Sequence, residues 1–321
     1  MKRRFNKKGF QVSFGWMFAI IVGAFILFLA IYGVTKLIQS EKDISDAKGG
    51  KEIGVLLNPL EIGFEEAKST SLTMPVDSRI HNRCSIPNTF YVFGKQGIKI
   101  SQKSFGSWSE TNTTPVFYNK YIFSSQIEEG KTFYLFSKPF RFPFKVTDLI
   151  YITSSEKKYC FKDLEGVEPL EDIYEEIKNL NQKNLLTEDC ADKGMIEVCF
   201  IETGCDIDVD YQEGKGYVDK NSETIYFYGD ALMFAAIFSD KEVYDCQLNR
   251  LMKRADVLAG LYIDKMRFIS RLGCNSDIDL DLENFKNKIS WIENSENLQG
   301  IGIDENLKKL ENKNDGVCQL W

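Results

Sequence analysis

Gly15-Trp16-Met17-Phe18-Ala19-Ile20-Ile21-Val22-Gly23-Ala24-Phe25-Ile26-Leu27-Phe28-Leu29-Ala30-Ile31-Tyr32-Gly33-Val34 decides the layout of this 321-residue chain. No charged side chain interrupts it, and twenty helical residues rise about 30 Å, the hydrocarbon thickness of a bilayer. Trp16 and Tyr32 lie near its ends, where amphipathic rings prefer the membrane interface. Lys2, Arg3, Arg4, Lys7 and Lys8 precede it and predict a cytoplasmic N-terminus, with the rest of the chain outside the cell membrane. A cleaved secretory signal would end its apolar region in a small-x-small site, but the exit here reads Phe28-Leu29-Ala30-Ile31-Tyr32-Gly33. The most apolar later stretch, Ala231–Phe238, is too short to return through a bilayer and reads as the start of a core helix.

The span also divides the charge. Residues 1–38 contain six basic residues and no acid, which leaves 34 basic and 47 acidic residues, a net −13, for the remainder. Phosphate binding needs clustered Lys and Arg, so a body this acidic predicts no nucleic-acid partner. With 43% hydrophobic residues the outer portion has ample material for a core, and its 24 Phe and 14 Tyr favour β-rich packing.

Along that portion, residues 38–80 read as a stalk, with a short amphipathic helix over Glu52–Lys68 broken or restarted at Asn58-Pro59, and from about Ser71 the pattern changes to strands. Thr89–Phe93, a four-residue turn Gly94–Gly97 and Ile98–Ile100 predict a β-hairpin. Further strands are expected at Val116–Phe123, Thr132–Phe136, Leu149–Thr153, Met195–Ile201, Ile207–Tyr211 and Thr224–Tyr228. Lys138-Pro139-Phe140-Arg141-Phe142-Pro143-Phe144-Lys145 fits an edge strand or extended loop whose phenylalanines enter the core. Leu170, Ile173, Tyr174, Ile177 and Leu180 form one helix face, with Pro169 in the first turn. From Gly229 to Leu272 the chain reads as helical with a break at Ser239-Asp240, followed by shorter helices at Leu282–Asn294 and Glu305–Asn312. The expected fold is α+β: a basic leader 1–9, a transmembrane helix 10–37, the stalk 38–80, a β-rich extracytoplasmic domain 81–228 and a helical C-terminal subdomain 229–321.

The junction Lys7-Lys8-Gly9-Phe10-Gln11-Val12-Ser13-Phe14 resembles the class III signal of type IV pilin-like proteins. That family carries a short basic leader ending in Gly, a first mature residue that is often Phe, and then a long apolar helix. The resemblance covers about 35 residues and implies cleavage between Gly9 and Phe10, with the helix kept as anchor and filament core. One position departs from the pattern: most pilins have Glu at the fifth mature position, and Phe14 stands there. This implies a minor subunit rather than the bulk of a fibre. A plain signal anchor fits the remaining features equally well.

All eight cysteines, Cys84, Cys160, Cys190, Cys199, Cys205, Cys246, Cys274 and Cys318, follow the span and are disulfide candidates in an oxidising compartment. Their pairing is open, since eight cysteines allow 105 connectivities. No Cys-x2-Cys pair and a single histidine argue against zinc, and no cofactor is implied.

Catalytic motifs give little. There is no phosphate loop, dinucleotide glycine loop, nucleophile elbow or zinc-protease helix. His81 lies near Cys84, but reads as a loop histidine beside a disulfide cysteine. The runs Asp206–Asp210 and Asp277–Glu283 alternate acids and aliphatics without the Gly an EF-type calcium loop needs, and fit strand alternation and a helix N-terminus respectively. Asn112-Thr113-Thr114 makes Asn112 a glycosylation candidate. These readings predict a membrane-anchored interaction or structural protein, with the lipid bilayer and other proteins of a surface assembly as partners. A ligand-binding ectodomain on a plain anchor is the alternative, and a carboxylate-dependent hydrolase a more distant one.

Overall fold

The computed structural model describes residues 14–61, 68–104, 106–108, 114–188, 190, 194–274, 277–300, 302–316 and 319–321. The chain divides into two compact units, 1–45 and 46–321.

Helix α1 (Phe14–Glu61) opens in the first unit with the apolar span and runs on into the second. Phe14–Leu37 has a mean hydropathy of 2.6 and none of it is buried against protein. Phe25, Leu27, Phe28 and Ile31 are each about three-fifths exposed. Twenty-four consecutive helical residues with their apolar side chains turned outward suit lipid as the surrounding medium. Among the described residues this is the one helix long and apolar enough to cross a bilayer. The helix continues through Asn58-Pro59, where a break was expected.

The second unit holds two sheets. The first contains β1 (Lys68–Ser85), β2 (Lys95–Ser104), β3 (Ser107–Trp108), β4 (Val116–Phe117), β5 (Ile122–Phe123), β6 (Ile127–Arg141) and β7 (Lys145–Ser154). Its order is β3-β2-β1-β6-β7-β5, with β4 beside β2. All of its pairings are antiparallel except β5 with β7. Met74-Pro75-Val76-Asp77 forms a bulge where β1 shifts register against β6, as expected where a proline removes a ladder donor. The sheet curls so that Ile80, Ile98, Ile100, Ile122, Phe133, Leu135, Ile150 and Ile152 pack together on its inner face. The curl brings the edge strand β5 close enough to the interior strand β1 for Asn82 Nδ2 to donate to the Ile122 carbonyl (3.0 Å).

The second sheet contains β8 (Tyr159–Lys162), β9 (Leu185–Leu186), β10 (Ile196–Cys199), β11 (Ile207–Gln212), β12 (Lys215–Lys220) and β13 (Glu223–Tyr228), in the order β13-β12-β11-β10-β8-β9. Helix α2 (Glu171–Leu180) precedes β9 and buries Ile173, Tyr174, Ile177 and Leu180, the face its spacing predicted.

Helix α3 (Asp230–Phe238) joins the sheets. Every residue from Ala231 to Phe238 is buried, because the helix packs on β6 and β7 on one side and on β12 and β13 on the other. Phe136 meets Phe234 and Phe238 edge-on, and Tyr151 Oη donates to the Ala231 carbonyl (2.7 Å). After the break at Ser239-Asp240, α4 (Lys241–Ser270) buries Tyr244, Leu248, Leu251, Ala255, Ala259, Ile263 and Met266. Then α5 (Ile278–Ile289) packs on α4, and α6 (Ile303–Asn314) on α5. The fold is mixed α+β, with an N-terminal apolar helix, a sheet-rich middle and helices at the C-terminus, as the sequence predicts.

Three further details differ from expectation. Residues 68–80 belong to β1 and not to a stalk: the strand pairs with β6 from Lys68 onward. Thr89–Phe93 is a loop, and the hairpin partner of β2 is the polar segment Ser78–Ser85. Asn88 takes the backbone N–H groups of Phe90 and Tyr91 on its side-chain oxygen (both 2.9 Å), and this local bond competes with strand formation. Val116–Phe123 is split into β4 and β5 rather than forming one strand. Pro139 lies inside β6, two residues past Ser137, the last residue paired with β1, so its missing donor costs the β1 ladder nothing. Phe140, Phe142 and Phe144 are core residues.

Candidate interaction surface

Alternation in β1 and β2 separates two kinds of surface. Ile80, Asn82, Gln96, Ile98 and Ile100 point inward and are buried. The intervening residues share the outer face, because directly paired residues lie on one side of a sheet: His81 opposite Lys99, Arg79 opposite Ser101, Ser85 opposite Lys95. Lys103 pairs with Trp108 on β3. Between Ser78 and Ser104 the sequence carries Arg79, Arg83, Lys95, Lys99 and Lys103 and no acid. Arg79 is paired with Glu129 (2.8 Å). Among the described residues, no carboxylate lies in ion-pair contact with Arg83, Lys95, Lys99 or Lys103. Burial holds the His81 imidazole below its ordinary pKa, and Lys99, Arg83 and Arg79 push in the same direction. These effects favour the neutral imidazole, and the permanent charge of the face comes from the five Lys and Arg side chains.

Aromatic side chains are set among them. The Arg79 guanidinium lies over the Trp108 ring (3.9 Å to its centroid), and Lys95 Nζ lies over Tyr91 (4.8 Å). Tyr91 stacks on Tyr118 (5.7 Å). The connection between β1 and β2 presents Ile86, Phe90 and Val92 to solvent, Phe90 being 90% exposed. It is nonetheless a built loop. Gly94 has φ +60, and a Cβ there would meet the Ser85 carbonyl oxygen at 2.2 Å, so only glycine closes the turn.

Behind this face lies a buried polar network. Gln96 Nε2 donates to Asn82 Oδ1 (2.6 Å), and Gln247 Nε2 on α4 donates to Gln96 Oε1 and to the Ile122 carbonyl (3.0 Å). Arg250, fully buried, donates to the carbonyls of Phe93 (2.9 Å), Lys120 (2.9 Å) and Tyr118 (3.2 Å) and to Gln247 Oε1 (2.7 Å). Its guanidinium also sits 4.6 Å from the centre of the Tyr121 ring. The disulfide Cys84–Cys246 ties the end of β1 to α4 at the same place. One helix thus fixes the exposed loop, the β4–β5 connection and the basic strand pair.

Elsewhere among the described residues, ionisable groups come together in two further clefts. A cleft of about 440 Å3 is lined by Lys157, Tyr159, Asp206, Lys220 and Asp240. Burial pulls the Lys220 ammonium down to about 8. Its three protons are taken by the carbonyls of Ala236, Ile237 and Ser239, so it closes the C-terminus of α3. Near it, burial raises the Glu128 carboxyl above its ordinary range although Lys157 is paired with it at 2.8 Å. A second groove of about 430 Å3 runs along β11–β13, with Tyr217, Tyr226 and Asp210 beside Gly300 and Asp304.

The sequence-predicted positions are distributed as follows. Gly9, Phe10, Asn112 and Cys318 lie outside the described residues. Cys84–Cys246, Cys160–Cys190 and Cys199–Cys205 are disulfides, and Cys274 is disulfide-bonded as well. The Cys84 sulfur is therefore no nucleophile for His81, whose Nε2 lies 3.2 Å from Ser101 Oγ. In the first acidic run, Asp206 accepts from the Glu197 N–H and Asp208 from those of Gly204 and Cys205, while Ile207 and Val209 are buried. In the second, Asp279 and Asp281 occupy the first turn of α5. The basic face was not foreseen; its trace in the sequence is an acid-free stretch inside an acidic body. No protein family, curated protein or solved structure matches this chain.

Proposed function

We propose that this chain is a membrane-anchored structural or interaction subunit of a surface assembly, with its disulfide-bonded domain outside the cell and its N-terminus processed as a pilin-like leader. The observation that carries the reading is the lipid-suited helix Phe14–Leu37, unburied along its length, on a chain whose other unit is held by disulfides. The basic and aromatic face of β1 and β2 is the contact surface. It has the anatomy of a protein-binding site, with exposed apolar anchors at Phe90 and Ile86 beside cations, all on a rigid support. Phe14, where most pilins have an acid, favours a minority subunit. Mass spectrometry of the N-terminal peptide from membrane-extracted protein tests the leader: the expected mature chain begins at Phe10, and replacement of Gly9 by a bulky residue blocks processing. An intact peptide from Met1 onward would leave a plain anchor bearing the same interaction domain.

A further inference from the structure

We infer that copies of this chain associate head to tail, the basic face of one copy receiving the acidic α2 end of the next. The inference rests on the reading of the chain as an assembly subunit and names the surface used. Around α2, residues 163–177 contain seven acids and no base. Glu165, Glu168, Asp172 and Glu175 are exposed, with Asp163 and Glu171 half-buried beside them. The neighbouring cations are already engaged: Lys138 with Glu176, Lys162 with Glu197 (2.7 Å) and Lys178 with Glu188 (3.5 Å). Ile201, 59% exposed, adjoins this end, where the Glu202 N–H bonds Asp163. It gives the exposed apolar loop around Phe90 an apolar counterpart.

The two charged regions cannot satisfy each other within one molecule. Strand β6 passes both: Glu129 is paired with Arg79 at the basic face, and Lys138 with Glu176 on α2. Nine residues of strand separate them, roughly 30 Å at about 3.4 Å per residue, several times the screening length of about 8 Å in physiological salt. Opposite charge at opposite ends of one strand is left to be matched between copies. A contact between two different surfaces is heterologous and joins copies into a closed ring or an open row, a short one where the chain is a minority subunit. Sheet rigidity holds the basic residues in register for such a contact, and long-range attraction orients the approach.

The test uses the full-length chain in mild detergent micelles, treated with a zero-length carbodiimide, which joins lysine to carboxylate only in direct contact. Oligomers are expected at low salt, with linked peptides joining Lys95, Lys99 or Lys103 to residues 163–176, and about a tenfold lower yield in 0.5 M salt. Lys99→Glu with Lys103→Glu, and separately Glu168→Lys with Asp172→Lys, should each abolish linkage. Mixing the two variants should restore it, an outcome that misfolded variants could not give. Monomer at low salt, links at other surfaces, or failure of the mixture to recover would overturn the inference. So would a chain that stays monomeric while its basic face retains polyglutamate, which would assign the face to a foreign polyanion. Because these readouts do not depend on the N-terminal residues, an uncleaved leader leaves them unchanged, and failure here leaves the leader result standing.

Discussion

Replacing Cys84 and Cys246 together by serine should cost far more stability than removing Cys199–Cys205. The first bridge spans 162 residues and the second 6. Cys160–Cys190 and Cys199–Cys205 fall inside the long loop and shorten its free length to about 126 residues, for which the chain-entropy relation gives about 5 kcal/mol. The same relation gives about 3.5 kcal/mol for Cys160–Cys190 and about 2 kcal/mol for Cys199–Cys205. Urea unfolding of the full chain in mild detergent, followed by near-ultraviolet circular dichroism, reads the difference. With a slope of about 3 kcal/mol per molar urea, the midpoints should fall by about 1.6 M and 0.7 M respectively. Equal shifts, or a larger one for Cys199–Cys205, would refute the reasoning, because the bridge would then not act mainly by restricting the unfolded chain. Loss of Cys84–Cys246 should also raise hydrogen exchange first in residues 86–94, the loop that the bridge and Arg250 hold.

Arg250→Met strands the carbonyls of Phe93, Lys120 and Tyr118 and should cost about 3–5 kcal/mol by urea unfolding, with Arg250→Lys recovering little because an ammonium cannot reproduce the planar fork. Gly216→Ala places a Cβ 1.8 Å from the Asp210 carbonyl oxygen, so the β11–β12 pair must part; a loss of about 3 kcal/mol is expected, and an unchanged midpoint would contradict that packing. Glu128 titrates above its ordinary range in the folded state, so its contribution to stability is full below the unfolded pKa and is lost as pH rises through the folded one. Glu128→Gln should therefore flatten the fall in stability from pH 4 to pH 7, and parallel pH profiles for the two proteins would show that the group does not titrate this way. Phe90→Ser, at an exposed site, should leave the urea midpoint within about 0.5 kcal/mol of wild type while reducing copy-to-copy cross-linking.

The elements legible in the sequence are those whose residues answer to one environment. Gly15–Val34 is uniformly apolar, Ala231–Phe238 is a run too short to span a bilayer, and Ile173, Tyr174, Ile177 and Leu180 repeat at helical spacing; each became the element expected. Strand β1 was legible only as a change to strand pattern near Ser71, and its start at Lys68 and its extent were not, because its outer face is Arg79, His81 and Arg83 and its middle holds Pro75. Thr89–Phe93 misled in the opposite sense: its β-branched and aromatic residues suit a strand, but Asn88 captures the backbone first. The single strand expected at Val116–Phe123 divides where Arg250 draws off the carbonyls of Tyr118 and Lys120. The network behind the candidate interaction surface was beyond reading, since Gln96 and Gln247 lie 151 residues apart. Only the absence of acids between Ser78 and Ser104 left a mark in one dimension.

Arg250 sharpens the functional reading of that network. A guanidinium buried without a carboxylate is an expensive way to fill a core position, and well-packed apolar side chains generally serve stability as well or better. What its fork supplies is attachment of two backbone segments, the loop at Phe93 and the β4–β5 connection at Tyr118 and Lys120, to one helix. Neither segment belongs to a regular ladder at the attachment point, so each would otherwise be free to move with its exposed side chains. Holding them lowers the ordering cost that Phe90, Tyr91 and Tyr118 would meet on binding, typically about 0.5–1.5 kcal/mol for each immobilised side chain. On the proposed function, the stabilisation behind the surface and the charge upon it serve the same end, a face that keeps its shape before a partner arrives.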